Sequence, residues 1–123
     1  MSPRTVAVVP AFDEEEAIAG VVRDVRAFDP EIDVVVVDDG SRDRTADAAA
    51  AAGAVVVRLP FNLGIGAAVQ TGFRYALERD YDVAVRLDGD GQHDAAELPK
   101  LLAPLERDEA DVVTGSRFHG DDG

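Results

Sequence analysis

The sequence contains no cysteine and no tryptophan, and only one of its 12 basic residues is a lysine, Lys100. The absence of cysteine excludes a disulfide framework and a thiolate metal site. A cytoplasmic location is compatible with this composition. The single lysine also excludes a Walker A phosphate loop, since no Gly-Lys-Ser/Thr sequence is present.

Positive charge is scarce as well, because 25 acidic residues oppose the 12 basic ones and the formal net charge is −13. Nucleic acids and anionic membrane surfaces are bound by basic surfaces, so the composition argues against a nucleic-acid partner. Long apolar runs are also missing: the N-terminal run is interrupted by Asp13, too early for a signal peptide or a spanning helix. We expect a soluble chain whose residues 1–123 form one domain.

Short valine-rich runs alternate with longer stretches of helical periodicity. Runs of this kind suit strands that are buried on both faces, and the alternation predicts an α/β fold with a mostly parallel sheet and helices on both faces. The chain ends in Gly and Asp residues without completing another element, so we expect the fold to be truncated after the fifth strand. The predicted strands are residues 5–9, 33–38, 54–59, 82–88 and 111–115.

Four helices are predicted between these strands. The second is alanine-rich, with Asp43 as its N-cap and Gly53 at its end. The other three are indicated by apolar residues at helical spacing: Ile18, Val21, Val22, Val25 and Phe28 in the first, Val69, Phe73, Ala76 and Leu77 in the third, and Leu98, Leu101, Leu102 and Leu105 in the fourth.

The most unusual stretch follows the fourth strand and reads "RLDGDGQHD". Asp88, Asp90 and Gln92 place hard oxygen ligands on alternate residues, and the glycines between them allow a tight fold around Mg²⁺ or Mn²⁺. Ligands of doubly wound sheets bind beyond the carboxyl ends of the strands, which is where this stretch lies. The alternative is a solvated acidic turn.

Two further acidic stretches follow the first and second strands. In "VVVVDDGS", Asp38 and Asp39 either accept N–H groups within the turn or accept the ring N–H of a nucleotide base. In "PAFDEE", Asp13 is either a helix N-cap followed by favourable acids or, with Glu14, a partner for a sugar hydroxyl. Phe12 then offers a surface for a base or ribose.

The loops after the third and fifth strands leave similar alternatives. "NLGIGAAVQTG" does not fit a dinucleotide fingerprint, because Val69 stands where a third Gly or Ala is needed. It is either a turn whose helix N-terminus faces the ligand, or a helix start with glycines for close packing. Arg117 is either a surface residue or a phosphate ligand.

Taken in order, "VAVVPAFDEEEAI", "VVVVDDGSRDRT", "NLGIGAAVQTGFRYA", "RLDGDGQHD" and "VVTGSRF" resemble the nucleotide-sugar-binding half of family 2 glycosyltransferases of the GT-A fold. The likeness is greatest to the dolichyl- or polyprenyl-phosphate mannosyl- and glucosyltransferases. The resemblance implies inverting transfer from a GDP- or UDP-sugar with Mg²⁺ or Mn²⁺, to a polyprenyl phosphate at a membrane surface. It also implies a location that is cytoplasmic or peripheral to the inner face of the membrane.

The resemblance assigns roles to particular residues. Asp38 and Asp39 would contact the base, and Arg117 would lie near the phosphates or the acceptor. Asp13 stands where the family often has Asn. Pro10, Ala11, Phe12 and Glu14 would line the donor pocket, and Asp88, Asp90 and Gln92 would bind the metal.

Two other functions fit parts of the pattern. A receiver domain of a response regulator is a similar α/β unit, but its acidic pair follows the first strand instead of the second and its lysine ends the fifth strand. A non-catalytic nucleotide-sugar-binding module differs only in lacking the acceptor half, since such enzymes continue well past this length. We therefore expect donor and metal binding with poor transfer, and a homodimer through an exposed sheet edge remains a hypothesis.

Overall fold

The computed structural model describes residues 4–89 and 112–114, which form a parallel five-stranded sheet with helices on both faces. The strands lie in the order β3-β2-β1-β4-β5. The elements are β1 (Thr5–Ala11), α1 (Ile18–Phe28), β2 (Asp33–Asp38), α2 (Thr45–Ala51), β3 (Val55–Arg58), α3 (Ile65–Glu78), β4 (Val83–Arg86) and β5 (Val112–Thr114). The predicted α/β class and all five strands are confirmed, with ends shifted by up to two residues. The predicted helix around Leu98–Leu105 lies outside the described residues.

The two faces of the sheet carry different helices because side chains alternate along each strand. Ala7 and Val9 of β1 pack in the same cluster as α1 and α2, whereas Val6 and Val8 pack in the cluster that contains Ala76 of α3. Every residue of β1 is buried. This explains the continuous apolar run, which would be unsuitable for a strand with one face in water.

Two of the apolar residues that recur at helical spacing do not lie on the buried faces of their helices. Phe28 is 41% exposed and Leu77 is 76% exposed. The buried residues of α3 are the small residues Ala68, Gly72 and Ala76, which recur every four residues, while Phe73 and Tyr75 pack against the same cluster and are only partly buried. A Cβ built on Gly72 would lie 2.2 Å from Cγ1 of Val8, so α3 lies too close to β1 for larger side chains on this face.

The beginning of α1 also differs from one of the sequence alternatives. Asp13 is not its N-cap, because the helix starts at Ile18 after a turn in which Ile18 N–H donates to the Glu14 carbonyl at 2.9 Å. For α2, the N-cap residue is Arg44 and not the predicted Asp43, but the Asp43 carboxylate accepts the amide of Thr45, the first residue of the helix, at 2.9 Å. Gly53 has a φ of 108° and follows the end of α2, as predicted.

The strand order reverses between β1 and β4, and this places a crevice at their carboxyl ends. β1 pairs with β2 as far as Ala11, but with β4 only as far as Val8. The Val8 carbonyl accepts the Leu87 amide, and residues two apart in a strand face the same neighbour, so Pro10 faces β4 as well. Because proline has no N–H, Pro10 cannot donate to β4, and the hydrogen-bonded ladder between β1 and β4 ends before it.

Candidate donor-binding site

An open cavity of about 320 Å³ occupies the crevice beyond β1 and β4. Its walls come from the loops that follow β1, β2, β3 and β4, together with the start of α3. The lining residues are Pro10, Ala11, Phe12, Glu14, Asp39, Asn62, Gly64, Ile65, Ala68, Asp88 and Gly89. The size and position suit a small-molecule ligand in a doubly wound fold.

Six of the residues predicted from the sequence to bind the donor therefore line one cavity. Asp38 does not line it. Its side chain is 1% exposed; Oδ1 accepts the Ser41 amide at 2.9 Å, and Oδ2 lies 3.4 Å from Nε of Arg58. That second contact is an ion pair without hydrogen-bond geometry. The six lining residues are Pro10, Ala11, Phe12, Glu14, Asp39 and Asp88; the predicted ligands Asp90, Gln92 and Arg117 lie outside the described residues.

The carboxylate of Asp39 holds the loop between β3 and α3. Oδ1 accepts the Leu63 amide at 2.8 Å, and Oδ2 accepts the Gly64 amide at 3.0 Å and Nδ2 of Asn62 at 3.2 Å. The residue is 4% exposed, and its own amide donates to the Ala11 carbonyl at 2.8 Å. Asp38 thus accepts an N–H group within its own turn, as one alternative expected, whereas the backbone N–H groups that Asp39 accepts belong to a different loop.

Gly40 allows the same loop to approach closely. It has a φ of 73°, and a Cβ at this position would lie 2.4 Å from the carbonyl carbon of Phe61 and 2.5 Å from the Asn62 nitrogen. Both atoms belong to the backbone, so a small side-chain adjustment cannot relieve the clash. The Asp-Gly pair of "DDGS" therefore builds one wall of the cavity.

A second wall, which contains Phe12 and Glu14, depends on hydrogen bonds between the loop after β1 and the loop after β2. Ser41 Oγ accepts the Asp13 amide at 2.9 Å, and Thr45 Oγ1 accepts the Glu14 amide at 2.8 Å. In the reverse direction, the Arg44 amide donates to the Glu15 carboxylate at 3.1 Å. These bonds fix the backbone on either side of the lining residues Phe12 and Glu14.

Asp13 and Arg42 do not line the cavity but support this second wall from behind the lining residues Phe12 and Glu14. Asp13 has a φ of 53° and accepts both the Arg42 amide, at 2.8 Å, and the Arg42 guanidinium, at 2.8 Å from Nη2. The guanidinium also lies 5.6 Å from the centre of the Phe12 ring. Its hydrogen bond lowers the pKa of the Asp13 carboxyl below the usual value, and the Asp13 carboxylate raises the pKa of Arg42. The Asp at this position thus gains an ion pair that the Asn frequent in the family would not form.

The charge of the lining is consistent with a divalent cation. Glu14, Asp39 and Asp88 contribute carboxylates, and none of the lining residues within the described ranges is Lys or Arg. The N–H donors on Asp39 offset its charge, but a diphosphate would still meet a negative field unless a cation bound beside it. Asp88 is partly buried at the cavity and offers the oxygen ligand that Mg²⁺ and Mn²⁺ prefer. Residues 4–89 and 112–114 contain no complete cluster of three metal-binding side chains.

Gly89, next to Asp88, lies against the end of β1. A Cβ there would be 2.8 Å from the Pro10 carbonyl oxygen and 3.1 Å from Cβ of Ala11. The first glycine in "DGDG" therefore lets the acidic turn approach the end of the first strand. This explains why a glycine stands between two carboxylates.

Sequence reasoning missed several lining residues: Asn62, Gly64, Ile65, Ala68 and Gly89. Asn62 directly precedes the "LGIG" segment. It could have been predicted from its position after the third strand, because the loops that follow parallel strands line the ligand site. Gly64 and Gly66 do not serve close packing, because a Cβ on either would meet no atom within 4 Å. The glycine that serves close packing is Gly72.

The chain belongs to the family described as Glycosyl transferase family 2, whose model matches residues 6–123. It is 40% identical over 119 residues to an undecaprenyl-phosphate mannosyltransferase of Micrococcus luteus, covering 93% of this chain and 48% of that protein. It is 37% identical over 121 residues to a polyprenol monophosphomannose synthase of Mycolicibacterium smegmatis, covering 94% and 45%. The family assignment and the glycosyltransferase class are thereby confirmed.

Solved structures agree with this assignment. A glucosyl-3-phosphoglycerate synthase from Mycobacterium tuberculosis, in complex with Mn²⁺, UDP-glucose and phosphoglyceric acid, superimposes with a TM-score of 0.67 at 30% identity. The match covers 84% of this chain and 39% of that one. The receiver-domain alternative is wrong, since a receiver sheet has the order 2-1-3-4-5 and this sheet does not.

The chain spans about half the length of the first two relatives above. In the part of the chain that the structure describes, no helix is both long and apolar enough to cross a membrane.

Proposed function

We propose that this chain binds a nucleotide-diphosphate sugar together with Mg²⁺ or Mn²⁺ in the cavity beyond β1 and β4. The observation that carries the proposal is the convergence of six predicted donor-binding residues, from three separate loops, on one cavity at the reversal of strand order. The reaction is inverting transfer of the sugar, and the acceptor is a polyprenyl phosphate at a membrane surface.

The base lies at the end of the cavity near Phe12 and Asp39. Phe12 offers an aromatic face whose surroundings are fixed by the loop contacts of Asp13 and Arg42. Asp39 accepts three N–H groups from the neighbouring loop, and a carboxylate has about four acceptor positions in total, so one remains for a base N–H. Asp38 contributes to the base site indirectly, by holding the Ser41 amide in the turn.

The diphosphate lies at the other end, beside Asp88. Asp88, with Asp90 and Gln92, would hold the metal, and that cation, when bound, neutralises charge on the leaving nucleoside diphosphate. Arg117 would add positive charge near the phosphates or the acceptor. Gly89 lets the turn that carries Asp88 lie against the end of β1, beside the lining residues Pro10 and Ala11.

The nature of the acceptor determines whether a general base is needed. A sugar hydroxyl must lose a proton as it attacks, whereas a lipid phosphate is already an anion. Support for a lipid phosphate comes from two relatives, which are named for undecaprenyl phosphate and for polyprenol monophosphomannose. A protein with this acceptor works at the cytoplasmic face of a membrane, as a peripheral enzyme.

Calorimetric titration with UDP-glucose and GDP-mannose, each with and without Mn²⁺, tests donor binding. We expect metal-dependent binding of one donor by the wild type, and at least a tenfold loss in Asp88→Asn, since one metal ligand is worth more than 1.4 kcal/mol. The matched control is Asp24→Asn, which removes an exposed carboxylate of α1 and leaves binding unchanged. Absence of binding by both donors with Mn²⁺ present would refute the proposal.

Transfer is measured separately, with radiolabelled donor and vesicles that contain undecaprenyl phosphate. Label recovered in the lipid fraction supports the full reaction. Donor binding without transfer supports the alternative of a non-catalytic nucleotide-sugar-binding module. Light scattering at several protein concentrations tests the proposed homodimer.

A further inference from the structure

The N-terminus of α3 lacks a cap within its own segment. Gly64 is the N-cap residue and has no side chain, and its backbone has a φ of 106° and a ψ of 158°. This region of conformational space is essentially restricted to glycine. The residues that usually cap helices, Ser, Thr, Asp and Asn, therefore cannot occupy this position without strain.

Asp39 provides the missing acceptor from another loop. Its two carboxylate oxygens accept the amides of Leu63 and Gly64, at 2.8 and 3.0 Å, directly before the first residue of the helix. The amide of the N-cap Gly64 is among the amides at the start of a helix that have no partner within it, and the Leu63 amide directly precedes them; a negative charge there is also favourable to the helix dipole. Charge-assisted hydrogen bonds of this kind are about twice as strong as neutral ones.

We propose that Asp39 is the N-terminal cap of α3, contributed from the β2–α2 loop, and that it acts as a positioning residue for the Asn62–Gly64 wall of the cavity. The capping role is independent of the ligand. Only its consequence for nucleotide binding rests on the proposed function. The proposal gives Asp39 a role in addition to any contact with the base.

The capping role requires both carboxylate oxygens. In Asp39→Asn one carboxylate oxygen becomes an NH₂ group. This group would face the Gly64 amide or the Leu63 amide, and because both groups are hydrogen-bond donors, that hydrogen bond is lost. Asn62→Ala serves as the control, because it removes only the side-chain contacts, at 3.2 and 3.3 Å, and leaves both backbone amides bonded to Asp39.

Amide hydrogen exchange, measured by NMR in the absence of nucleotide, tests the cap directly. In Asp39→Asn we expect the exchange of at least one of the Leu63 and Gly64 amides to accelerate by at least about tenfold relative to the wild type. In Asn62→Ala both amides keep their protection. Wild-type amides that exchange as fast as unprotected ones, or an unchanged pattern in Asp39→Asn, would overturn the proposal.

Gly64→Ala provides a second test that leaves the Asp39 carboxylate in place. Its control is Gly66→Ala, since a Cβ on either glycine meets no atom within 4 Å and only Gly64 has a positive φ. We expect Gly64→Ala to weaken both the protection of the amides at 63 and 64 and the affinity for UDP with Mn²⁺, each by about tenfold or more. Gly66→Ala changes neither.

The outcomes separate the cap from the proposed function. If Asp39 served only as a base contact, Asp39→Asn would lose UDP affinity while Gly64→Ala would not, and the positioning role would be refuted. If the amides respond as expected but the wild type binds no nucleotide, the cap is supported and the proposed function fails.

Discussion

The close approach of α3 to β1 leads to a specific prediction for Gly72→Ala. In a helix, replacing Gly by Ala normally stabilises a protein by up to about 1 kcal/mol, because the backbone of the unfolded chain loses freedom. At Gly72, however, the new Cβ would lie 2.2 Å from Cγ1 of Val8 and 3.3 Å from Cγ2 of Val37. Val8 is fully buried and its β-branched side chain is stiff at χ1, so it has little freedom to move away from the new methyl group.

Overpacking of this kind costs about 1 to 3 kcal/mol. Gly66→Ala is the matched control, since it makes the same change in the same helix where no atom lies within 4 Å. We expect Gly66→Ala to be neutral or stabilising, and Gly72→Ala to be less stable than it by about 1 to 3 kcal/mol. For a chain of this size that separation corresponds to roughly 4 to 12 °C in melting temperature.

The assay is urea unfolding monitored by circular dichroism, with the slope m compared among the variants so that a change in the unfolded state is detected. A double-mutant cycle with Val8→Ala identifies the contact responsible. In the Val8→Ala background, Gly72→Ala should cost less by at least about 0.5 kcal/mol. Equal stability of Gly66→Ala and Gly72→Ala, or an unchanged cost in the Val8→Ala background, would refute the packing argument.

Two pH-dependent predictions follow from pairs of charged or polar groups. The guanidinium of Arg42 lowers the pKa of Asp13, so the stabilisation from this pair is present above the ordinary aspartate pKa of 3.8 and is lost as the pH falls through the lower pKa of the folded state. In an NMR titration Arg42→Gln should raise the Asp13 pKa towards 3.8, and an unchanged pKa would contradict this cause. Burial and the hydrogen bond to Asp33 raise the pKa of Tyr81 to about 12, so the stability contributed by this group should decline between about pH 10 and 12. In an absorbance titration, Asp33→Asn should lower the pKa of Tyr81. An unchanged Tyr81 pKa would show that Asp33 does not influence it.

The fold class and the position of the site could be predicted well from the sequence. Continuous valine runs indicate strands buried on both faces, and the carboxyl ends of parallel strands meet at one edge, so Phe12, Asp39 and Asp88 could be expected together. Burial was less predictable: Phe28 and Leu77 have the spacing of an apolar helix face and yet are exposed. Periodicity shows only that a helix is amphipathic, and the distance to the sheet decides which side chains fit beneath it.

The sequence by itself determined which residues form strands, where the chain turns, and that carboxylates follow the second and fourth strands. These properties depend on local conformational preference and on the burial of apolar side chains, both of which act over short stretches of chain. The tertiary structure decided how the loops hold one another: Asp39 accepts amides 24 and 25 residues away, and Asp13 pairs with Arg42, 29 residues away. Hydrogen bonds require particular distances and angles between groups that only the packed sheet brings together, so no local pattern could have assigned these partners.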